Sequence, residues 1–141
     1  MATTRTATAN WAGALLDGSG TVSLDSSGAG TFDVTWASRS QEPDGRTSPE
    51  ELIGAAHATC FSMALSHGLA GAGTPPESVR TQASVTFQPG EGITGIVLKV
   101  RASVPGLSAE DFQAAARTAK DTCPVSQALA GTTITLDAEL A

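Results

Sequence analysis

The sequence predicts an α+β fold, with antiparallel sheets against a long buried central helix and a second helix. Three observations carry this. The first third breaks into short runs rich in Thr, Val and aromatics, separated by glycines. A long apolar run then opens on a helix-start signal and stops in a cluster of glycine and proline. Alternation of apolar and polar residues returns before a second capped segment. The order is three strands, helix, two strands, helix, strand, and the 141 residues read as one domain spanning 1–141.

The first three predicted strands are "RTATANWAGAL", "GTVSLDSSG" and "TFDVTWAS", the last with Phe32, Val34 and Trp36 in strict alternation. In "RTSPEELIG", Ser48 is the N-cap, Pro49 the first helical residue and Glu51 the third, completing a capping box. The spacing predicts a helix over 49–68 that "GLAGAGTPP" breaks. A hairpin follows around 89–92, with Ala83, Val85 and Phe87, then Ile96, Leu98 and Val100, on one face. The second helix starts at Ser108, with Asp111 at its third position, and ends near Asp121. Pro124 favours extended backbone at Cys123, so "CPVSQAL" begins a separate short helix, and "TTITLDAEL" is the last strand.

Between Leu52 and Leu65 only His57, Thr59 and Ser62 are polar, and a helix apolar on all sides is buried on all sides. A single sheet covers one side. A second subunit is the economical cover for the rest, with the second helix and loops as the alternative. A net charge of −6 argues against nucleic-acid binding and against anionic membranes. "MATTRTATANW" has no apolar core of signal-peptide length, and no stretch is long and apolar enough to span a bilayer, so the expected location is the cytoplasm. There the two cysteines are expected to be free, metal-bound or redox-active.

Cys60 sits mid-helix, eleven residues past Pro49 and beyond the reach of the helix dipole. A cation to ionise it must come from elsewhere, and Arg39 and Arg46 lie on the segment leading into the helix. His57, three residues before Cys60, offers a local thiolate–imidazolium pair, but the residues favour a neutral ring with one hydrogen bond. Cys123, at the N-cap of the short helix, has the local chemistry of the more acidic thiol. The cysteines are 63 positions apart, which fits neither a CxxC redox motif nor a zinc knuckle. His57 and His67 are ten apart on one helix and cannot share an ion, so no metal and no cofactor is expected.

"SPEELIGAAHATCFSMALSHGLAGAG", followed about sixty residues later by "CPVSQAL" and a terminal "ITLDAEL", resembles the OsmC branch of the OsmC/Ohr organic hydroperoxide resistance family; the likeness starts at "NWAG" and "GSGTVSLDSSG". The resemblance implies an intertwined homodimer and a thiol peroxidase that reduces organic hydroperoxides, with hydrogen peroxide a poorer substrate, in oxidative or osmotic stress. It implies Cys60 as peroxidatic cysteine, Cys123 as resolving cysteine, a Cys60–Cys123 disulfide, Glu50 as catalytic glutamate and Arg39 as arginine, with Arg46 the fallback. The implied reductant is a dithiol, a lipoylated protein in the family. Phe61, Met63 and Leu65 would favour an apolar peroxide tail, although core packing explains them equally. On a continuous helix Glu50 and Cys60 are about 15 Å apart, so a shared site needs Glu50 from the other subunit or a helix break near Gly54. The alternative role for Glu50 is to favour the helix dipole. The alternative function is a non-catalytic redox-sensing or small-ligand-binding stress protein.

Overall fold

The glycine-punctuated runs of the first third become a three-stranded meander in the computed structural model, which describes all of Met1–Ala141. The chain divides into two units, Met1–Leu52 and Ile53–Ala141, each with its own sheet. In the first, β1 (Thr8–Ala12), β2 (Ser19–Ser23) and β3 (Thr31–Val34) pair antiparallel in that order, with Trp11 opposite Gly20 and Val22 opposite Phe32. A Cβ on Gly20 would run into the Asn10 carbonyl of β1 and stand 2.8 Å from the Trp11 ring, so glycine is what lets β1 and its indole approach β2 this closely.

Trp36 does not extend β3. It opens a short helix, α1 (Trp36–Ser40), because Thr35 caps it: Thr35 Oγ1 accepts the Ser38 N–H at 3.0 Å, and the Thr35 N–H donates to Ser38 Oγ at 3.0 Å. Two orphan donors are satisfied reciprocally, and this outweighs the alternation that continues through Trp36. Ser38 Oγ also donates to the Thr47 carbonyl at 2.9 Å, tying α1 to the end of the following loop. Next, Ser48 Oγ accepts the Glu51 N–H at 3.1 Å, as a cap should. The Glu51 carboxylate, however, accepts the Thr47 hydroxyl at 2.7 Å, so only half of the expected capping box forms.

Helix α2 runs from Pro49 to Gly71 without a break, longer than the predicted 49–68. One glycine costs a helix only about 1 kcal/mol relative to alanine, and buried Leu69 holds the last turns in place beyond Gly68. Gly54 is not a hinge. A Cβ there would lie 3.1 Å from the Ala83 carbonyl of β4, so its smallness serves close packing of helix on strand.

In the second unit β4 (Ser78–Gln88) pairs antiparallel with β5 (Gly92–Ser103) around the expected turn, and β6 (Ile134–Leu140) joins β5 in parallel. The expected antiparallel arrangement therefore holds in both sheets except at β6. Helices α3 (Ala109–Thr122) and α4 (Pro124–Ala128) make the connection that a parallel neighbour requires, and α3 packs on β6. Ser108 caps α3 as expected, accepting the Asp111 N–H at 3.1 Å. Phe61, Leu65 and Leu69 of α2, Leu98 and Val100 of β5, and Phe112 of α3 form the core. Each such burial is worth about 1.5–3 kcal/mol. The opposite face of α2, with Ala55, Ala56, Thr59 and Met63, stays exposed, so the second helix does not supply the missing cover.

Candidate active site

Two constellations hold the site residues that the sequence singles out. In the first unit, the capped α1 presents Arg39 from its last turn, and the Ser48–Pro49 start of α2 presents Glu50 from its first. Arg39 Nε lies 3.0 and 3.2 Å from the two carboxylate oxygens of Glu50, and Nη2 donates to Oε2 at 2.9 Å. The fork is the geometry that makes arginine, rather than lysine, the natural partner of a carboxylate. Glu50 is buried while Arg39 keeps about a third of its side chain exposed, so the carboxylate acts as a fixed base plate under the guanidinium. Arg46 takes another partner, Asp44, at 3.4 Å on the surface. Trp11, Leu15, Val22, Trp36 and Leu52 line a groove of about 460 Å³ with Arg39 on its wall.

In the second unit, half-buried Cys60 of α2 and fully buried Cys123 approach to 3.0 Å, and both are free thiols. Cys123 is the joint between two helices: its N–H closes α3 on the Ala119 carbonyl at 2.9 Å, and its carbonyl accepts the Gln127 N–H at 3.0 Å to open α4. Burial pushes the Cys60 thiol up, and the hydrogen bond it gives to Cys123 pushes it further. Burial would raise Cys123 too, but the Cys60 thiol, the Ser126 N–H and hydroxyl, and the Val125 N–H together outweigh it and bring this thiol below its ordinary value. The sulfur makes no cap hydrogen bond of regular geometry, so these donors act through proximity. Cys123 is thus shifted down first by the Cys60 thiol and only then by groups at the start of α4, whereas no cation in its own unit counters burial at Cys60.

His57 does not pair with Cys60. It is completely buried, and its Nε2 lies 2.8 Å from Ser126 Oγ, which is the neutral, singly bonded ring that the sequence favours; burial lowers its pKa. Phe61 and Leu65 belong to the core, and Met63 points outward, so the residues flanking Cys60 build no apolar substrate wall within this chain. Ser126 is not singled out by the sequence. The signal was there in spacing: it follows Cys123 by three residues, as His57 precedes Cys60 by three.

Residues 42–138 match the family model described as OsmC-like protein. The chain belongs to the OsmC-like family. Among its relatives, a protein named peroxiredoxin OsmC from Escherichia coli (strain K12) is 45% identical over 135 residues, covering 94% of this chain and 93% of that one, and a protein of the same name from Shigella flexneri matches equally. The OsmC-like fold also recurs in solved structures. The organic hydroperoxide resistance protein OhrB of Bacillus subtilis superposes with a TM-score of 0.68 at 26% identity, covering 96% of this chain and 98% of that one. An organic hydroperoxide resistance protein from Elizabethkingia anophelis gives 0.71 at 25% identity over the full length of both chains. An OsmC-like protein from Mycoplasma pneumoniae shares the fold, with a TM-score of 0.75 at 16% identity over 100% of this chain and 99% of that one.

Proposed function

We propose that this OsmC-like chain is a two-cysteine thiol peroxidase that reduces organic hydroperoxides to alcohols, with hydrogen peroxide a poorer substrate, in cytoplasmic defence against oxidative and osmotic stress. The observation that carries the reading is the pair of free cysteines at 3.0 Å in a chain 45% identical to a protein named a peroxiredoxin. Cys60, the more exposed sulfur, is the peroxidatic residue, and buried Cys123 resolves it.

The Cys60 thiolate attacks the distal peroxide oxygen. The O–O bond breaks, the alkoxide leaves and is protonated to the alcohol, and Cys60 becomes a sulfenic acid. Because burial holds the Cys60 proton on, this step needs a fixed positive charge at the sulfur. Arg39, clamped by Glu50, supplies it, and each unit by which it lowers the thiol pKa is worth about 1.4 kcal/mol. The unbroken course of α2 supports delivery from a second protomer: ten residues of helix separate Glu50 from Cys60 by about 15 Å along the axis. The exposed face of α2 supports the same homodimer. The groove beside Arg39 suits the apolar tail of an organic substrate. Cys123 then displaces water from the sulfenic acid, and a dithiol of the dihydrolipoyl class reduces the resulting disulfide by exchange.

The test is turnover of cumene or tert-butyl hydroperoxide with dihydrolipoamide. Cys60→Ser is expected to abolish it, whereas Cys123→Ser is expected to allow one oxidation per chain and then stall. Loss of the first oxidation in Cys123→Ser would reverse the two roles, the outcome that the acidity of Cys123 would favour. Wild-type protein that consumes no peroxide would leave the redox-sensing reading in place.

A further inference from the structure

Two of the four buried polar side chains, His57 and Ser126, have no part in the chemistry above. Their placement is specific. On α2, His57 precedes Cys60 by one helical turn; on α4, Ser126 follows Cys123 by one turn; and the two pairs face each other. The result is a ladder with two rungs, Cys60 to Cys123 at 3.0 Å and His57 Nε2 to Ser126 Oγ at 2.8 Å. His57 and Cys123 are completely buried, Ser126 is 7% exposed, and His57 Nδ1 is enclosed without a hydrogen-bond partner.

We propose that His57, acting through the Ser126 hydroxyl, is a positioning residue for Cys123: it fixes that hydroxyl as a donor to the Cys123 sulfur and holds α4 where this sulfur closes on Cys60. The inference rests on the two-cysteine reading given above. It assigns a role in the second step of the reaction, the closing of the disulfide.

The direction of the chain of donors follows from counting protons. Ser126 Oγ has one hydrogen. If it were spent on His57 Nε2, the ring proton would sit on Nδ1, leaving a buried N–H with no acceptor. If instead Nε2–H donates to Ser126, the unpaired atom is a bare Nδ1 acceptor, and among buried main-chain groups an orphaned donor is the rarer and costlier defect. The ring proton therefore sits on Nε2, and the Ser126 hydrogen is free to turn toward Cys123, one turn back on α4. Burial keeps the ring neutral and so keeps this tautomer in place.

The step served is balanced within the pair. The Cys123 thiolate attacks the sulfenic sulfur of Cys60, the S–S bond forms, and the Cys60 S–O bond breaks. Hydroxide leaves with the bonding electrons and takes the proton that Cys123 gave up, departing as water. The Cys60 sulfur is reduced from sulfenate level and the Cys123 sulfur is oxidised. On reduction by a dithiol, Cys123 leaves as the thiolate toward which the Ser126 hydroxyl is already turned.

The experiment compares Ser126→Ala, His57→Leu and His57→Gln in the otherwise intact protein, with folding checked by circular dichroism. Two quantities are read: the equilibrium of the Cys60–Cys123 disulfide in a dithiothreitol buffer, and the fraction of Cys60 sulfenic acid trapped by dimedone after a pulse of cumene hydroperoxide. Losing a hydrogen bond to a charged sulfur is expected to move the equilibrium about tenfold toward the disulfide and to lengthen the sulfenic acid lifetime by a similar factor in Ser126→Ala and His57→Leu. Glutamine retains an N–H donor at similar reach, and His57→Gln is expected to recover most of both. If His57→Leu matches the wild type in both readouts, or if leucine and glutamine shift them equally, the rung only fills space and the proposal is overturned. Should the His57 variants not fold, Ser126→Ala, the smallest change, still overturns the proposal if it leaves both readouts at their wild-type values. The dithiothreitol equilibrium uses no peroxide, so it still tests the rung in a protein that proves inactive as a peroxidase.

Discussion

Arg39 and Arg46 lie seven positions apart on the same polar stretch, and the sequence leaves both as candidates for the cation. What separates them is partnership. Arg39 is forked onto a buried carboxylate, whereas Arg46 leans on exposed Asp44. Arg39→Lys keeps the charge but loses the fork, and it is expected to lower kcat/KM for cumene hydroperoxide at least tenfold, about one unit of thiol pKa. Arg46→Lys is expected to leave that value within twofold, measured in the same dihydrolipoamide-coupled assay. His57 carries a second consequence. Its pKa is lower in the folded chain than its ordinary 6.5, so below that pH the unfolded chain binds the proton first. The stability due to the neutral ring is present above about pH 6.5 and is lost as pH falls toward the folded value. Thermal melts from pH 7 to pH 5 are expected to fall less steeply in His57→Gln than in the wild type. At this scale the two cysteines and the two arginines are candidates by residue type, whereas Glu50 becomes one only through the family resemblance, since an acid at a helix start has an ordinary role there. Ser126 is not a candidate on either ground, since a serine gains meaning only from what the fold sets beside it.

Local signals were read best where they were covalent or conformational. The caps at Ser48 and Ser108, the turn after Gln88 and the Cys123–Pro124 start of α4 all stand where their residues imply. Two features were hidden because they depend on competition between signals. Alternation carried through Trp36 concealed α1, whose Thr35–Ser38 box has no glutamate to advertise it. The parallel entry of β6 is a matter of topology, and its residues look the same in either direction. Gly54 illustrates the same limit: a mid-helix glycine reads as a weak point, yet it marks the contact of α2 with the Ala83 carbonyl. Gly54→Leu raises intrinsic helix propensity but drives a side chain against sheet backbone. It is expected to destabilise the protein by about 1–3 kcal/mol, read from urea unfolding.

For the whole molecule the informative surface is the uncovered face of α2. Met63 is 67% exposed in the middle of a run with almost no charge, and apolar helix faces of this kind are found buried. The proposed homodimer would supply that cover, which the proposed active site also requires. Sedimentation of the wild type is expected to give twice the 14.2 kDa chain mass. Met63→Glu is expected to give a monomer with little peroxide turnover, and a monomeric wild type with full activity would remove the need for a shared site. Another consequence concerns the two sulfurs, which lie 63 positions apart in the chain. If they bond as proposed, the β4–β5 hairpin and α3 become a single closed lasso, and tying off a loop of that size restrains the unfolded chain by about 4 kcal/mol. The spent catalyst would be the hardier of the two forms, most resistant to heat at the moment when it has just met its oxidant and awaits reduction.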